Sequence, residues 1–150
     1  MRVVVQRVRE AGVTIAGASI AAIGRGLLVL VGVETGDTAA DVEWLASKVA
    51  ALRIFPDDTG RMNLSVRDIG GDILAVSQFT LHASTERGNR PGFTRAARPE
   101  EAIPLYEAFL SALDRETGRR TDRGIFAADM QVRPVNDGPV TILIDSRRRE

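Results

Sequence analysis

Cysteine is absent from this chain of 150 residues, histidine occurs once, at His82, and lysine once, at Lys48. Without thiols there is no disulfide, no thiolate metal site and no cysteine nucleophile, and a cytoplasmic setting is the expected one. No set of histidine and carboxylate positions has ligand spacing, so neither a metal nor a cofactor is expected. Formal net charge is zero. That argues against a protein that coats nucleic acid through a general basic field, and DNA is not an expected partner. A local basic patch stays open, because nearly all the positive charge is arginine, which suits bidentate contacts to phosphate. No apolar run approaches the roughly 20 residues of a membrane span, and Val3-Val4-Val5 is too short for a signal segment.

What is present fits one globular domain. The hydrophobic fraction is 44%, enough for a real core but too little chain for two. The domain is expected over residues 1–146, followed by a charged tail, 147–150, whose Arg147-Arg148-Arg149 reads as disordered.

The pattern predicts an α/β (α+β) chain. Arg2 to Val8 reads as a strand ending at a turn, Glu10-Ala11-Gly12, with a short strand Val13-Thr14-Ile15 after it. Gly17-Ala18 turns the chain into Ser19 to Ile23, and Leu27 to Val33 is a strongly apolar central strand. Thr38 caps a helix whose apolar positions Val42, Leu45, Ala46, Val49 and Leu52 share one face, leaving Trp44 off the stripe. Pro56 to Gly60 is a turn, and Met62 to Val66 an edge segment. Pro99 opens a second helix lined by Ile103, Tyr106, Phe109, Leu110 and Leu113, which Gly118 stops. Arg115, Arg119, Arg120 and Arg123, beside Asp114, Glu116 and Asp122, read as a solvated face. Ile125 to Val135 and Val140 to Ile144 read as two strands of a hairpin turning at Asn136-Asp137-Gly138-Pro139.

Two stretches carry chemistry. Gly70-Gly71 precedes Ile73 to Val76, a run with the branching of a buried strand, and Ser77, Gln78 and Thr80 then place three hydrogen-bonding side chains at its end. These hydroxyls either serve a site or simply bond neighbouring backbone as the strand ends. Between Ala83 and Arg98 periodicity disappears. Arg87, Arg90, Arg95 and Arg98 with Phe93 are then either a phosphate-binding loop or a solvated one. If the segment is extended, Thr80 and His82 lie on the face opposite Ser77, so a Ser77–His82 pair is awkward and a packing or surface role suits His82.

Together Ser77-Gln78-Phe79-Thr80-Leu81 and Asn136-Asp137-Gly138-Pro139-Val140-Thr141 resemble the two signature motifs of the D-aminoacyl-tRNA deacylases. Gln6-Arg7-Val8, Gly26 to Leu30, Arg53-Ile54-Phe55, Met62-Asn63-Leu64, Glu86 to Pro91 and Phe126 to Met130 match the family in order, so the resemblance covers essentially the whole chain. It implies a single compact domain: a mixed, largely antiparallel, barrel-like sheet with two main helices. It also implies a homodimer that hydrolyses the ester of D-aminoacyl-tRNA, and of glycyl-tRNA. Ser77, Gln78, Phe79 and Thr80 would form the catalytic floor of a pocket, with Leu81 beside them. Gly138 and Pro139 of the other subunit would enter it with a cis peptide and exclude L-side chains. Arg7 would brace that pair and Met130 contact the terminal adenine, a core role for Met130 being the alternative. The 2′-hydroxyl of the terminal adenosine would help activate water, and backbone N–H groups near Phe79 and Thr80 would hold the oxyanion. Gly92 stands where many relatives carry a polar residue. Two other functions remain open: an esterase that uses the Thr80 hydroxyl, which lacks an evident base, and a non-enzymatic RNA-binding dimer.

Overall fold

The computed structural model describes residues 1–149. Eight strands and two helices run in the order β1 (Arg2–Ile15), β2 (Ala18–Ile23), β3 (Gly26–Gly32), α1 (Ala39–Ala51), β4 (Phe55–Pro56), β5 (Met62–Leu64), β6 (Asp72–Ser77), α2 (Pro99–Thr117), β7 (Asp122–Arg123) and β8 (Gln131–Asp145).

β1 organises the sheet. It pairs antiparallel with β3 through residues 2–8, with β2 through residues 11–15, and with β8 along nearly its whole length. β6 joins β3 in parallel, and β7 joins β6 in parallel. The sheet is thus mixed and largely antiparallel, and β2 curls over to lie against β6 and β7, so it nearly closes. The Glu10-Ala11-Gly12 turn expected within β1 is absent. The strand runs straight through, and its inward set changes parity instead, from Val3 and Val5 to Val8 and then to Ala11 and Val13. Val8 lies on the face opposite Val3 and Val5 by simple alternation, in unbroken register with β3, and a bulge on β1 between Val8 and Glu10 then brings Ala11 and Val13 to the face of Val8.

This switch divides the core in two. Met1, Val3 and Val5 join Leu27, Val29, Val31, Ile73 and Ala75 beneath both helices. Val8, Ala11 and Val13 join Leu28, Leu74 and Val76 on the other face. β3 and β6 are therefore buried on both faces, which is why each reads as an unbroken apolar run.

Asp41 accepts hydrogen bonds from the Thr38 N–H and hydroxyl at 2.9 Å each, closing the start of α1. α2 ends at Gly118 in the left-handed region, φ 68°, a conformation glycine adopts without steric cost. Its buried face is Ala102, Tyr106, Phe109, Leu110, Ala112 and Leu113; Ile103 is 41% exposed, off the face to which its spacing assigned it. Phe109 is fully buried, so Phe109→Ala is expected to cost about 3–5 kcal/mol in urea unfolding. A loss below about 1 kcal/mol would mean the two helices do not seal this core.

β4 and β5 form a small separate hairpin around the Asp57 to Gly60 turn. Three of the four arginines of the solvated face pair with carboxylates: Arg115 with Glu43, Arg119 with Asp72 and Arg123 with Glu107. The last arginines are docked rather than disordered. Arg147 meets Asp37 at 3.0 Å, and the Arg149 guanidinium lies over half-buried Trp44, 4.6 Å from its centroid.

The expected hairpin at Asp137-Gly138 is also absent. β8 is one strand, and Ile125 to Met130 is irregular, with Ala127 at φ 62°. Gln6 pairs with Thr141 and Val8 with Asn136, so Arg7 alone on β1 stands opposite four residues, 137 to 140, on β8. Turn-forming residues make the chain protrude here rather than reverse, because the strand regains the same partner immediately beyond. The Gly138–Pro139 peptide in this protrusion is cis.

Candidate active site

β6 delivers Ser77 to the end of the sheet, and Gln78 N–H still bonds the Val31 carbonyl at 2.7 Å. The chain then tightens into one turn of 3-10 helix, Phe79–His82, so the assumption of an extended segment fails. Gly32 makes the turn possible. A Cβ there would meet the Gln78 carbonyl at 3.0 Å and Leu81 Cβ at 3.1 Å, so glycine lets the turn sit directly on β3 without displacing these neighbours. Leu81 accepts a hydrogen bond at its carbonyl from Arg2 Nη1 at 2.7 Å, and Arg2 is itself held by Asp145. Among the described residues the Phe79 and Thr80 N–H groups find no acceptor, since the turn's first bond is Leu81 N–H to Gln78 O.

Beside this turn lies a cavity of about 650 Å3. Ser77, Gln78 and Phe79 form one wall, Tyr106 and Phe126 another, and Met130 and Val132 a third, with Phe93 and Arg98 at the rim. A mostly apolar hollow of this size with a few polar groups suits a small organic ligand. Phe93 packs edge-on against half-exposed Phe79, with centroids 5.0 Å apart. Tyr106 donates to the Ala75 carbonyl at 3.0 Å, and burial pushes its hydroxyl pKa up, so it stays protonated. Met130 serves both core and cavity: it packs on the second hydrophobic cluster while facing the hollow.

Neither the Ser77 nor the Thr80 hydroxyl bonds backbone among the described residues. Thr80 Oγ1 instead accepts from the Gln78 amide. His82 is fully buried, and burial pushes its imidazole pKa down, with the Glu34 carboxylate 3.9 Å from Nδ1 opposing that shift. The packing role is the one the structure supports, because a side chain with no exposure cannot meet a substrate. Burial would raise the Glu34 carboxyl pKa, but the Arg95 hydrogen bond at 2.8 Å and the charges of Arg95 and Arg147 hold it below its ordinary value.

Gly138 and Pro139 are exposed and are not walls of this chain's own cavity. Arg7 anchors their protrusion: Nε donates to the Asp137 carbonyl at 2.9 Å, and Nη1 to the Ile54 carbonyl at 2.5 Å. The structure thus brings Ser77, Gln78, Phe79 and Met130 to one hollow, and Arg7, Gly138 and Pro139 to a separate post. Arg2, Glu34 and Tyr106 were missed as supports of the site. Their partners lie 79, 61 and 31 positions away along the chain, so no local pattern marks them.

The family model for D-Tyr-tRNA(Tyr) deacylase matches residues 4–145. The D-aminoacyl-tRNA deacylase of Akkermansia muciniphila is 60% identical over 150 residues, covering both chains entirely, and that of Flavobacterium johnsoniae is 55% identical with the same coverage. A solved structure described as c-Myc DNA unwinding element binding protein superimposes with a TM-score of 0.92 at 43% identity, covering 97% of this chain and 98% of that one. One described as a probable eukaryotic D-amino acid tRNA deacylase shares the fold, with a TM-score of 0.83 at 17% identity, covering 95% and 97%. Both signature stretches and the residues that line the cavity lie within the matched residues, and the chain belongs to the D-Tyr-tRNA(Tyr) deacylase family.

Proposed function

We propose that the protein hydrolyses the ester bond joining a D-amino acid to the 3′ end of tRNA, a proofreading step carried out in the cytoplasm. The observation that carries this reading is the cavity beside the Phe79–His82 turn, where N–H groups without acceptors adjoin an apolar hollow large enough for an aminoacyl group. In this reading Ser77, Gln78 and Phe79 form the floor, and the Phe79 and Thr80 N–H groups take the developing oxyanion. Such preorganised donors commonly supply the largest single contribution to ester hydrolysis. The 2′-hydroxyl of the terminal adenosine orients the attacking water, since no exposed histidine is present among the described residues to do so.

Handedness is read by the Gly138-Pro139 post of a second copy, with Arg7 holding the post in place. Two facts support the second copy: within one chain the post does not reach the cavity, and Val135 and Leu143 on the same strand are 42% and 61% exposed. A fixed block discriminates by excluding the wrong shape rather than by binding the right one more tightly. Glycine has no side chain to exclude, so glycyl-tRNA is a substrate as well.

Purified protein given D-tyrosyl-tRNA and L-tyrosyl-tRNA side by side tests the reading. Fast release of D-tyrosine with L-tyrosyl-tRNA left intact is expected. Binding of both without hydrolysis would instead make this an RNA-binding module.

The Thr80 esterase is the second reading, and the hydroxyl does face a neighbour, the Gln78 amide. That contact makes Thr80 Oγ1 an acceptor and supplies no base. Thr80→Ala is therefore expected to keep kcat within about tenfold of wild type. A loss of about a thousandfold or more, the scale of a missing nucleophile, would move the chemistry onto the side chain.

A further inference from the structure

The cavity takes only the end of a tRNA, so the rest of that polyanion must run over the protein surface, and net charge gives it no general attraction. Most basic side chains near the site already have a carboxylate partner. Arg2 pairs with Asp145, Arg7 and Arg9 with Asp137, and Arg95 and Arg147 with Glu34. On the segment between the Phe79–His82 turn and α2, Arg87, Arg90 and Arg98 are exposed and have no carboxylate partner among the described residues. Arg98 stands on the cavity rim itself, and Glu86 is the one acid on the segment that carries the other two.

That segment is built as a projecting arm. Ser84 and Gly92 exchange reciprocal backbone hydrogen bonds of 2.8 Å, closing residues 85–91 into a tip. Its base is fixed to the cavity by the Phe93–Phe79 contact, by Arg95 on Glu34 at 2.8 Å, and by Thr35 N–H on the Arg95 carbonyl at 3.0 Å. An arm anchored this firmly beside the pocket presents its guanidinium groups without a large ordering cost, and guanidinium suits the paired oxygens of a phosphate.

We propose that Arg87 and Arg90 on this arm, with Arg98 at the rim, form a phosphate-binding ledge that holds the acceptor end of the tRNA while its 3′ terminus occupies the cavity. The ledge rests on the proposed deacylase reading and adds to it where the body of the substrate lies. It grips the sugar–phosphate backbone and is indifferent to sequence.

The test compares wild type with the Arg87→Ala, Arg90→Ala double variant on two substrates, D-tyrosyl-tRNA and the short ester 3′-O-(D-tyrosyl)adenosine, across a salt series. For the tRNA, kcat/KM is expected to fall about tenfold at low salt, and the slope of its logarithm against log salt to shrink by about one to two, roughly one for each phosphate left without its arginine. For the short ester, which has no body to hold, kcat/KM should stay within about twofold. Arg98→Gln is expected to act in the same direction, and Arg87→Lys with Arg90→Lys to recover most of the salt slope.

Equal losses on both substrates, or an unchanged slope, would overturn the ledge. So would a reduced slope in an Arg148→Ala, Arg149→Ala control, which would put the RNA on the C-terminal face. Absence of hydrolysis by wild type on either substrate would sink the deacylase reading instead. In that event, binding of uncharged tRNA to the same proteins across the salt series still decides the ledge.

Discussion

D-tyrosyl-tRNA ending in 2′-deoxyadenosine is expected to bind nearly as well as the ribose form and to be cleaved about a hundred- to ten-thousandfold more slowly. The magnitude is that of a lost proton-transfer or water-orienting group. The expectation follows from what surrounds the cavity. Its walls offer the hydroxyl of Ser77, the amide of Gln78, the phenol of Tyr106 and, on exposed residues, the Asp129 carboxylate and the Arg98 guanidinium. The phenol is committed to the Ala75 carbonyl and is held protonated by burial. His82 is sealed under the turn. No histidine is in that set, and in the proposed reading it is the substrate's own hydroxyl that positions the water, so removing it should affect kcat far more than KM. Single-turnover rates with the two tRNAs make the comparison. Equal rates would require a protein group to activate water.

Gly138→Ala is expected to lower the ratio of D- to L-tyrosyl-tRNA hydrolysis at least tenfold. Gly138 sits at φ +132°, where L-residues are rarely found, and an added Cβ would come within 3.0 Å of the Val140 N and Cγ2 and 3.1 Å of Arg7 Nη2. The strain is of order 1–3 kcal/mol, and it falls on the contacts that fix the post. Either the backbone rotates or Arg7 gives way, and in both cases the peptide moves relative to the pocket it is proposed to enter. The ratio is the quantity to measure, since both rates fall if the variant assembles poorly. A variant with a lowered Tm and an unaltered ratio would assign handedness to the cavity walls.

Local signals were legible in the sequence where the structure obeys local rules. Thr38 with Asp41, Pro99 with Gly118, and the double-sided apolar runs of β3 and β6 each declare an element by a few adjacent residues. Two of the failures share one cause, which is that turn-forming residues were taken to reverse the chain. Glu10 to Gly12 instead stay in regular register with β8, just past a bulge between Val8 and Glu10, and Asp137 to Pro139 protrude, because each strand keeps the same partner on both sides of the irregularity, and pairing across such a distance has no local signature. The site divides in the same way. Ser77, Gln78 and Phe79 line the cavity as one contiguous stretch, whereas Arg2 on Leu81, Glu34 on Arg95 and Tyr106 on Ala75 depend on strands and helices far apart in sequence.

The four-against-one protrusion also has a mechanical meaning. Residues 131–136 and 141–145 are both laddered to β1, and Arg7 ties the Asp137 carbonyl from between them. A loop joined to the sheet on one side can lean toward whatever binds it. This one cannot lean without unzipping a ladder on one side or the other, and a local opening of that kind costs free energy. Stiffness of this sort responds to one thing only, whether an obstacle occupies the space in front of it. A device that tests occupancy in one direction is indifferent to what extends in the others, so a post that reads handedness as proposed would leave the chemical identity of a D-side chain largely unread.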